Sequence, residues 1–270
     1  MPTPTDTLNP PQPPSRVFYQ TGRMLGVEDL QTEQDYHRGR LARALMQLHG
    51  TGTVSGLKVQ TDGNKDLTQL EVQVTPGCAV DRLGRIIEVP RLVCIRLQNW
   101  LARQTDSDLN LAFKSTSFLL FDVFASFVAC RRGKTPCFAS QDDYDATDAF
   151  SANRWLDSFA MQLVLRTDST PALPVDPWKN VAAAAPAAGL KQDILDATAG
   201  PAAAPVEYPP GFDATSVFLA RVQVVATQAS PGARPAADLT KITIDNLSRL
   251  FVYPAALTAR WAGLISGANS

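Results

Sequence analysis

No block of like charge interrupts this sequence, and its 25 Lys and Arg are met by 26 Asp and Glu. Nucleic acid and anionic membrane surfaces both require a concentrated basic field, so neither is expected as the main partner. No apolar run reaches the roughly 18 residues that span a bilayer, and membrane insertion is not expected. The opening MPTPTDTLNPPQPPS has neither the basic nor the apolar region of a signal peptide. Synthesis and assembly in the cytoplasm are the expectation, followed by a place in something larger.

Chemical signatures are as scarce. His37 and His49 are the two histidines, and the four cysteines (Cys78, Cys94, Cys130, Cys137) lack the paired C-x-x-C spacing of a zinc site. There is no G-x-S-x-G elbow, no H-E-x-x-H and no G-x-x-x-x-G-K-[ST] loop. GTGTVSG at 50–56 looks on its surface like a dinucleotide fingerprint. It leaves a helix and enters a strand, however, the reverse of what phosphate binding at a helix N-terminus needs. Asp142, Asp143, Asp145 and Asp148 cluster as an EF-hand does, without its central glycine or closing glutamate. They read as a solvated acidic loop. No catalytic residue, cofactor or metal ligand is assigned, and no enzyme is expected. The thiols default to buried and unpaired in a reducing compartment. A Cys130–Cys137 disulfide across a hairpin at RRGKTP is the alternative.

What is present begins with a proline-rich stretch, 1–15, that reads as an extended arm able to lie along a neighbouring subunit. Phe18 and Tyr19 open the folded part. A helix is expected over 27–48, with Gly26 at the N-cap, Glu28 and Asp29 at the positive end of the dipole, and Gly50 closing it in a left-handed turn. Leu30, Gln34, His37, Leu41, Leu45 and Leu48 share one face at a period of 3.6, so half of that face is polar. This is odd for a helix that merely sits on a core. Gly39 in mid-helix suggests a close backbone approach. His37 reads as hydrogen-bonded to Gln34 or to a strand carbonyl rather than as a catalytic base.

A strand series follows. Val54, Leu57 and Val59 read as one strand with Gly56 as a bulge or crossing, and Leu70, Val72 and Val74 alternate with polar residues as a half-buried strand does. Strands are also expected around 78–80, 85–89 and 92–96, then a short helix at 98–103. SFLLFDVFASFVA at 117–129 is apolar on both alternating faces, so it is buried on both sides, in the core or in a subunit interface. A strand at 155–166 carries Phe159, Met161, Leu163 and Leu165. The segment 167–213 is rich in alanine and proline and reads as a surface excursion whose small side chains bury little area. Strands at 217–225 and 241–244 and a closing helix at 254–265 complete the chain.

The fold class is therefore α+β, mainly β. An antiparallel sandwich or barrel-like sheet carries one long N-terminal amphipathic helix and a C-terminal helix. One β-rich domain spans 16–166 and 214–270, with 1–15 as arm and 167–213 as excursion. The surfaces most in need of neighbours are carried by Phe18, Tyr19, Gln34, His37, Leu41, Phe121, Phe124 and Phe127.

One resemblance adds to this. Tyr19, Gly22 and Leu25 precede Glu28-Asp29-Leu30 and Glu33-Gln34-x-Tyr36. Then come Leu48-His49-Gly50-x-Gly52-x-Val54-x-Gly56-Leu57-x-Val59 and Pro76-Gly77-x-Ala79-x-Asp81-x-x-Gly84-Arg85. Phe218-Leu219-Ala220-Arg221-Val222 and Ile244-Asp245-Asn246 through Arg249 follow more loosely. The pattern resembles a family of bacterial proteins encoded with contractile, phage-tail-like injection systems and phage tails. That likeness implies a non-enzymatic particle component near a baseplate, cap or fibre attachment, made in the cytoplasm and released with the particle. Its partners would be other subunits and copies of itself, since cyclic homo-oligomers are the norm in such particles. Gly26 stands where the pattern leads one to expect Ser or Thr, and the 167–213 excursion is longer than the pattern needs. The alternative is a glycan- or protein-binding module using the 130–150 and 167–213 loops.

Overall fold

The fold is that of a computed structural model, which describes residues 15–113, 117–133, 135–136, 150–151, 153–168, 170–176, 191, 195, 206–255 and 257–258. The arm, the acidic loop at 142–148, most of the 167–213 excursion and most of the closing helix lie outside the described residues.

Helix α1 runs Val27–His49. The Gly26 N–H donates to Asp29 Oδ2 at 3.0 Å, and the Gly50 N–H closes the far end on the Met46 carbonyl at 2.9 Å. Strand β1 is Gly52–Gly56 and β2 is Val59–Thr61. The run expected as one strand is thus two, in different sheets, because Gly56 and Leu57 both take positive φ (59° and 54°) and turn the chain between them. Gly56 lies so close to the Pro76 carbonyl that a Cβ would overlap it.

Strands β3 (Glu71–Val74), β4 (Gly77–Val80), β5 (Ile86–Val89) and β6 (Val93–Arg96) complete two three-stranded antiparallel sheets, ordered β1-β4-β5 and β2-β3-β6. Helices α2 (Leu97–Ala102) and α3 (Asp106–Phe113) follow. Sequence reading missed α3, although Thr105 and Asp108 form a reciprocal cap. Thr105 Oγ1 donates to Asp108 Oδ2 at 2.7 Å and accepts the Asp108 N–H at 3.1 Å.

The long strand β7 (Phe118–Arg132) is followed by β8 (Thr135–Pro136), β9 (Phe150–Ser151), β10 (Arg154–Leu165), β11 (Val217–Thr227) and β12 (Ala236–Asp245). β8 pairs with β9, and a four-stranded antiparallel sheet has the order β10-β7-β11-β12. β12 is longer than the 241–244 expected. The chain is mainly β, with few helices, and no described sheet closes into a barrel.

Alternation along β7 explains its double oiliness. Phe121, Val123, Ala125 and Phe127 share one core with Val59, Val72, Val74, Ile87 and Val89 of the small sheets, Leu57 of the turn between β1 and β2, and Leu219 and Val222 of β11. Leu109, Leu119 and Ala226 form a second, smaller cluster. The C-terminal segment is clipped to β2. Asn246 mimics a strand neighbour, accepting the Val59 N–H and donating to the Val59 carbonyl, each at 2.9 Å. Buried Arg249 donates to the carbonyls of Leu57 (2.7 Å) and Asn246 (2.9 Å). Burial, only partly offset by Asp245, pulls its pKa down to about 10.

The cysteines differ from expectation. Cys78 is half-buried, Cys94 and Cys130 are exposed, and all three are free. Cys94 sits on β6, where burial alternates and it points outward with Arg96. Cys130 opposes Leu156 of β10 rather than a hairpin mate, because β7 runs straight into its pairing with that distant strand. Cys137 lies outside the described residues.

The turn from Asp81 to Arg85 docks α1. Asp81 Oδ1 accepts the N–H groups of Leu83 (2.9 Å) and Arg85 (2.8 Å), and its Oδ2 pairs with Arg85 Nε at 2.5 Å. Gly84, at φ 82°, lies against the backbone of Ala42, the buried residue of α1. Gly84→Ala is expected to cost about 1–3 kcal/mol, combining a disfavoured φ with an overlap on that backbone. A thermal melt measures the loss. Faster protease cleavage within α1 would show that the docking contact is what failed.

Candidate interaction surface

Of the six positions on α1 that the sequence singles out for periodicity, five are exposed and Leu45 is half-buried; Val27 is exposed as well. Val27 is 70% exposed, Leu30 53%, Leu41 58% and Leu48 76%. Gln34 and His37 lie bare between them. Apolar side chains left in water at helical spacing forgo about 1.5–3 kcal/mol each that burial would supply. Phe18 and Tyr19, just before the helix, are exposed as well. Five of the eight residues expected to seek neighbours therefore do lie on the surface.

The other three do not. Phe121 and Phe124 are fully buried and Phe127 nearly so, all within the chain's own interior. Trp100 packs on Phe121 with ring centroids 4.8 Å apart, and the Arg85 guanidinium lies 4.8 Å over the Phe127 ring. Phe124 points to the opposite face of β7, where Phe212 (4.8 Å), Tyr208 and Phe218 (both 5.6 Å) enclose it. His37 bonds neither Gln34 nor a strand carbonyl. Its Nε2 lies 2.9 Å from Glu33 Oε1, one helical turn back, on an exposed face of α1.

That second face of β7 carries a buried polar seam that sequence reading missed. Asp122, wholly buried, accepts two bonds from Arg221 (Nε 2.8 Å, Nη2 2.9 Å) and one from Arg166 Nη1 at 2.5 Å. Arg166 also holds Asp168 through two bonds (3.0 and 2.8 Å) and the Glu207 carbonyl at 2.6 Å. Arg221 reaches the carbonyls of Pro171 and Ala172 at 2.7 and 2.9 Å. Two guanidiniums thus balance two carboxylates and tie down both described ends of the 167–213 segment. Glu207, only 2% exposed, pairs with Arg82 at 2.5 Å. The stretch was expected to bury little, yet its Glu207, Tyr208 and Phe212 are built into the sheet. The signal was there in VEYPPGFD, whose aromatic residues break the alanine pattern.

Tyr208 makes this seam sensitive to alkali. Burial, opposed by the Arg82 hydrogen bond, pushes its pKa up from 10.0 to about 12. The phenol donates to the Ser216 carbonyl and so is held neutral. A group raised in the folded state contributes its stability fully below the unfolded value and loses it as pH climbs from about 10 to about 12. Arg249 works the other way in that range, because its pKa is depressed, but it is common to both chains in a comparison. Tyr208→Phe is expected to flatten the alkaline fall in denaturant midpoint between pH 10 and 12. Parallel curves for the two proteins would show that the phenol is not what titrates.

Asp81 and Asp122 are paired with guanidiniums, Glu207 meets Arg82 through one oxygen, and the described residues contain no cluster of His, Cys, Asp and Glu fit to hold a metal. A groove of about 490 Å³ between α2, α3 and the start of β12 is lined by Leu101, Leu109, Leu119 and Leu239, with Arg234 and Asp238 at its edge. Arg234 is taken by Asp106, and Asp238 by Thr240 and Lys241. No described helix is long and apolar enough to cross a membrane.

The chain matches no known family and no curated protein. The surface itself must therefore carry the functional reading, and α1 is its most unusual part.

Proposed function

We propose that the protein is a structural or adaptor subunit of a contractile injection system or a related phage-tail-like particle, acting through assembly with other subunits and with copies of itself. In this reading the small sheets and the four-stranded sheet form a sandwich that serves as a rigid scaffold, while the arm and α1 are what it offers to neighbours. A place in the baseplate, cap or fibre attachment fits the motif pattern quoted above, as do assembly in the cytoplasm and release with the particle. No bond is made or broken in this role.

The observation that carries the proposal is the exposed face of α1, with apolar residues at helical spacing along its length. Patches of this kind mark contact surfaces. The test is to purify particles from cells that make them and look for this chain by peptide mass spectrometry. A fixed stoichiometry with sheath and tube proteins, and incomplete particles after deletion of the gene, are expected. Intact, functional particles without the chain would refute the proposal. Light scattering of the purified chain should give a multiple of 29.2 kDa.

A further inference from the structure

We infer that α1 recognises a second copy of itself, pairing antiparallel across a two-fold axis. This rests on the assembly reading above and gives it a geometry. The exposed residues recur at alternating spacings of three and four, from Val27 and Leu30 through Gln34 and His37 to Leu41, Ala44 and Leu48. That is the repeat of a coiled-coil seam. At 23 residues the helix is about 35 Å long, enough for three heptads.

Charge decides the direction and the partner. Glu28, Asp29, Glu33 and Asp35 occupy the first half of α1, and Arg38, Arg40 and Arg43 the second. A parallel pair would lay the acidic half on the acidic half and the basic half on the basic half, with Glu33 against Arg38 as its one favourable flanking contact. An antiparallel pair lays each acidic half on the basic half of the other copy and opposes the helix dipoles. The complement to this helix is therefore the helix itself, reversed. The seam fixes the register. Setting Leu30 against Leu41 also brings Val27 to Ala44 and Gln34 to His37, so apolar layers meet apolar layers and polar meet polar, each twice. A polar layer of this sort costs stability but specifies alignment. Leu48 then falls level with Arg23 of the other copy, one residue from Met24, which is 92% exposed in the single chain. Glu33, flanking the seam, comes beside Arg40. α1 docks on Gly84 through Ala42, which is not a seam residue.

Sedimentation velocity on the full chain at micromolar concentrations tests this. The wild type is expected to dimerise. Leu30→Ser with Leu41→Ser should abolish the dimer while leaving the monomer folded, with an unchanged far-UV spectrum and a melting temperature that no longer depends on protein concentration. Glu33→Arg should weaken it about tenfold by creating two symmetric like-charge pairs. Adding Arg40→Glu should restore it, and adding Arg38→Glu instead should not. Rescue by Arg38→Glu would mean a parallel pair and overturn the proposal. An oligomer indifferent to every one of these changes would overturn the pairing while leaving self-assembly standing. A wild-type monomer throughout would overturn the pairing and remove self-association from the functional reading, pointing to a helix of another subunit as the occupant.

Discussion

Asp122→Ala is expected to lower the unfolding free energy by about 3–5 kcal/mol, the usual result of removing one partner from a buried ion pair. Two guanidiniums converge on this carboxylate, and the Arg166 side chain is 1% exposed, with no route to water. Asp168 retains its two bonds to Arg166 in the variant, so half of the charge balance survives there. Arg221 keeps only the carbonyls of Pro171 and Ala172, which carry no full charge. Asp122→Asn preserves shape and some hydrogen bonding and should lose roughly half as much, since hydrogen bonds to charged groups are worth about 1.5–3 kcal/mol. Urea midpoints at constant slope give both numbers. A loss under about 1 kcal/mol for alanine would mean that the two arginines find water, and that the seam is looser than its geometry. The same variant separates scaffold from surface. Its folded fraction should still self-associate as wild type does, because the seam and α1 share no residue.

How much of this was legible depended on whether the signal was local. β3, β5 and β6 alternate in burial, because one face of each is the wetter, whereas β4 does not alternate. Helix ends are local too: acidic residues after Gly26 and a glycine at 50 bracket α1. The break at Leu57 was not legible, since nothing in a leucine announces a positive φ. It takes that conformation because the chain must cross between sheets there. The apolar strand showed that both its faces are covered but could not say by what. Its odd positions meet the small sheets, and its even positions meet residues some 90 further along the chain. Asp122 in the middle of that strand was the clue to the seam, because a carboxylate among phenylalanines has to find a cation. Which arginines supply it is a matter of topology that spacing does not encode. On α1 the polar half-face was visible as an oddity. That it is bare in the folded chain, and complementary to its own reverse, needed the dock at Gly84 to be seen.

Phe124→Ala should produce a loss of similar size, about 3–5 kcal/mol, for a different physical reason. The ring is fully buried and touches three others: Phe212 at 4.8 Å, and Tyr208 and Phe218 at 5.6 Å, the last edge-on. Two of those three belong to the loop that closes the second face of β7. Truncation removes both the transfer energy of the ring and the packing of that loop, so the site cannot collapse without letting go of Tyr208 and Phe212. Phe124→Leu keeps most of the volume and should cost less, about 1–2 kcal/mol, since volume-preserving changes in cores are tolerated best. If alanine and leucine cost the same, the cluster is an aromatic contact network rather than a filled volume. The sharper reading comes from combining this change with Asp122→Ala. Both anchor the same loop to the same strand, so their effects should fall short of additive once either one has released it. A double-mutant cycle that closes additively would show that the seam and the aromatic cluster hold the loop independently.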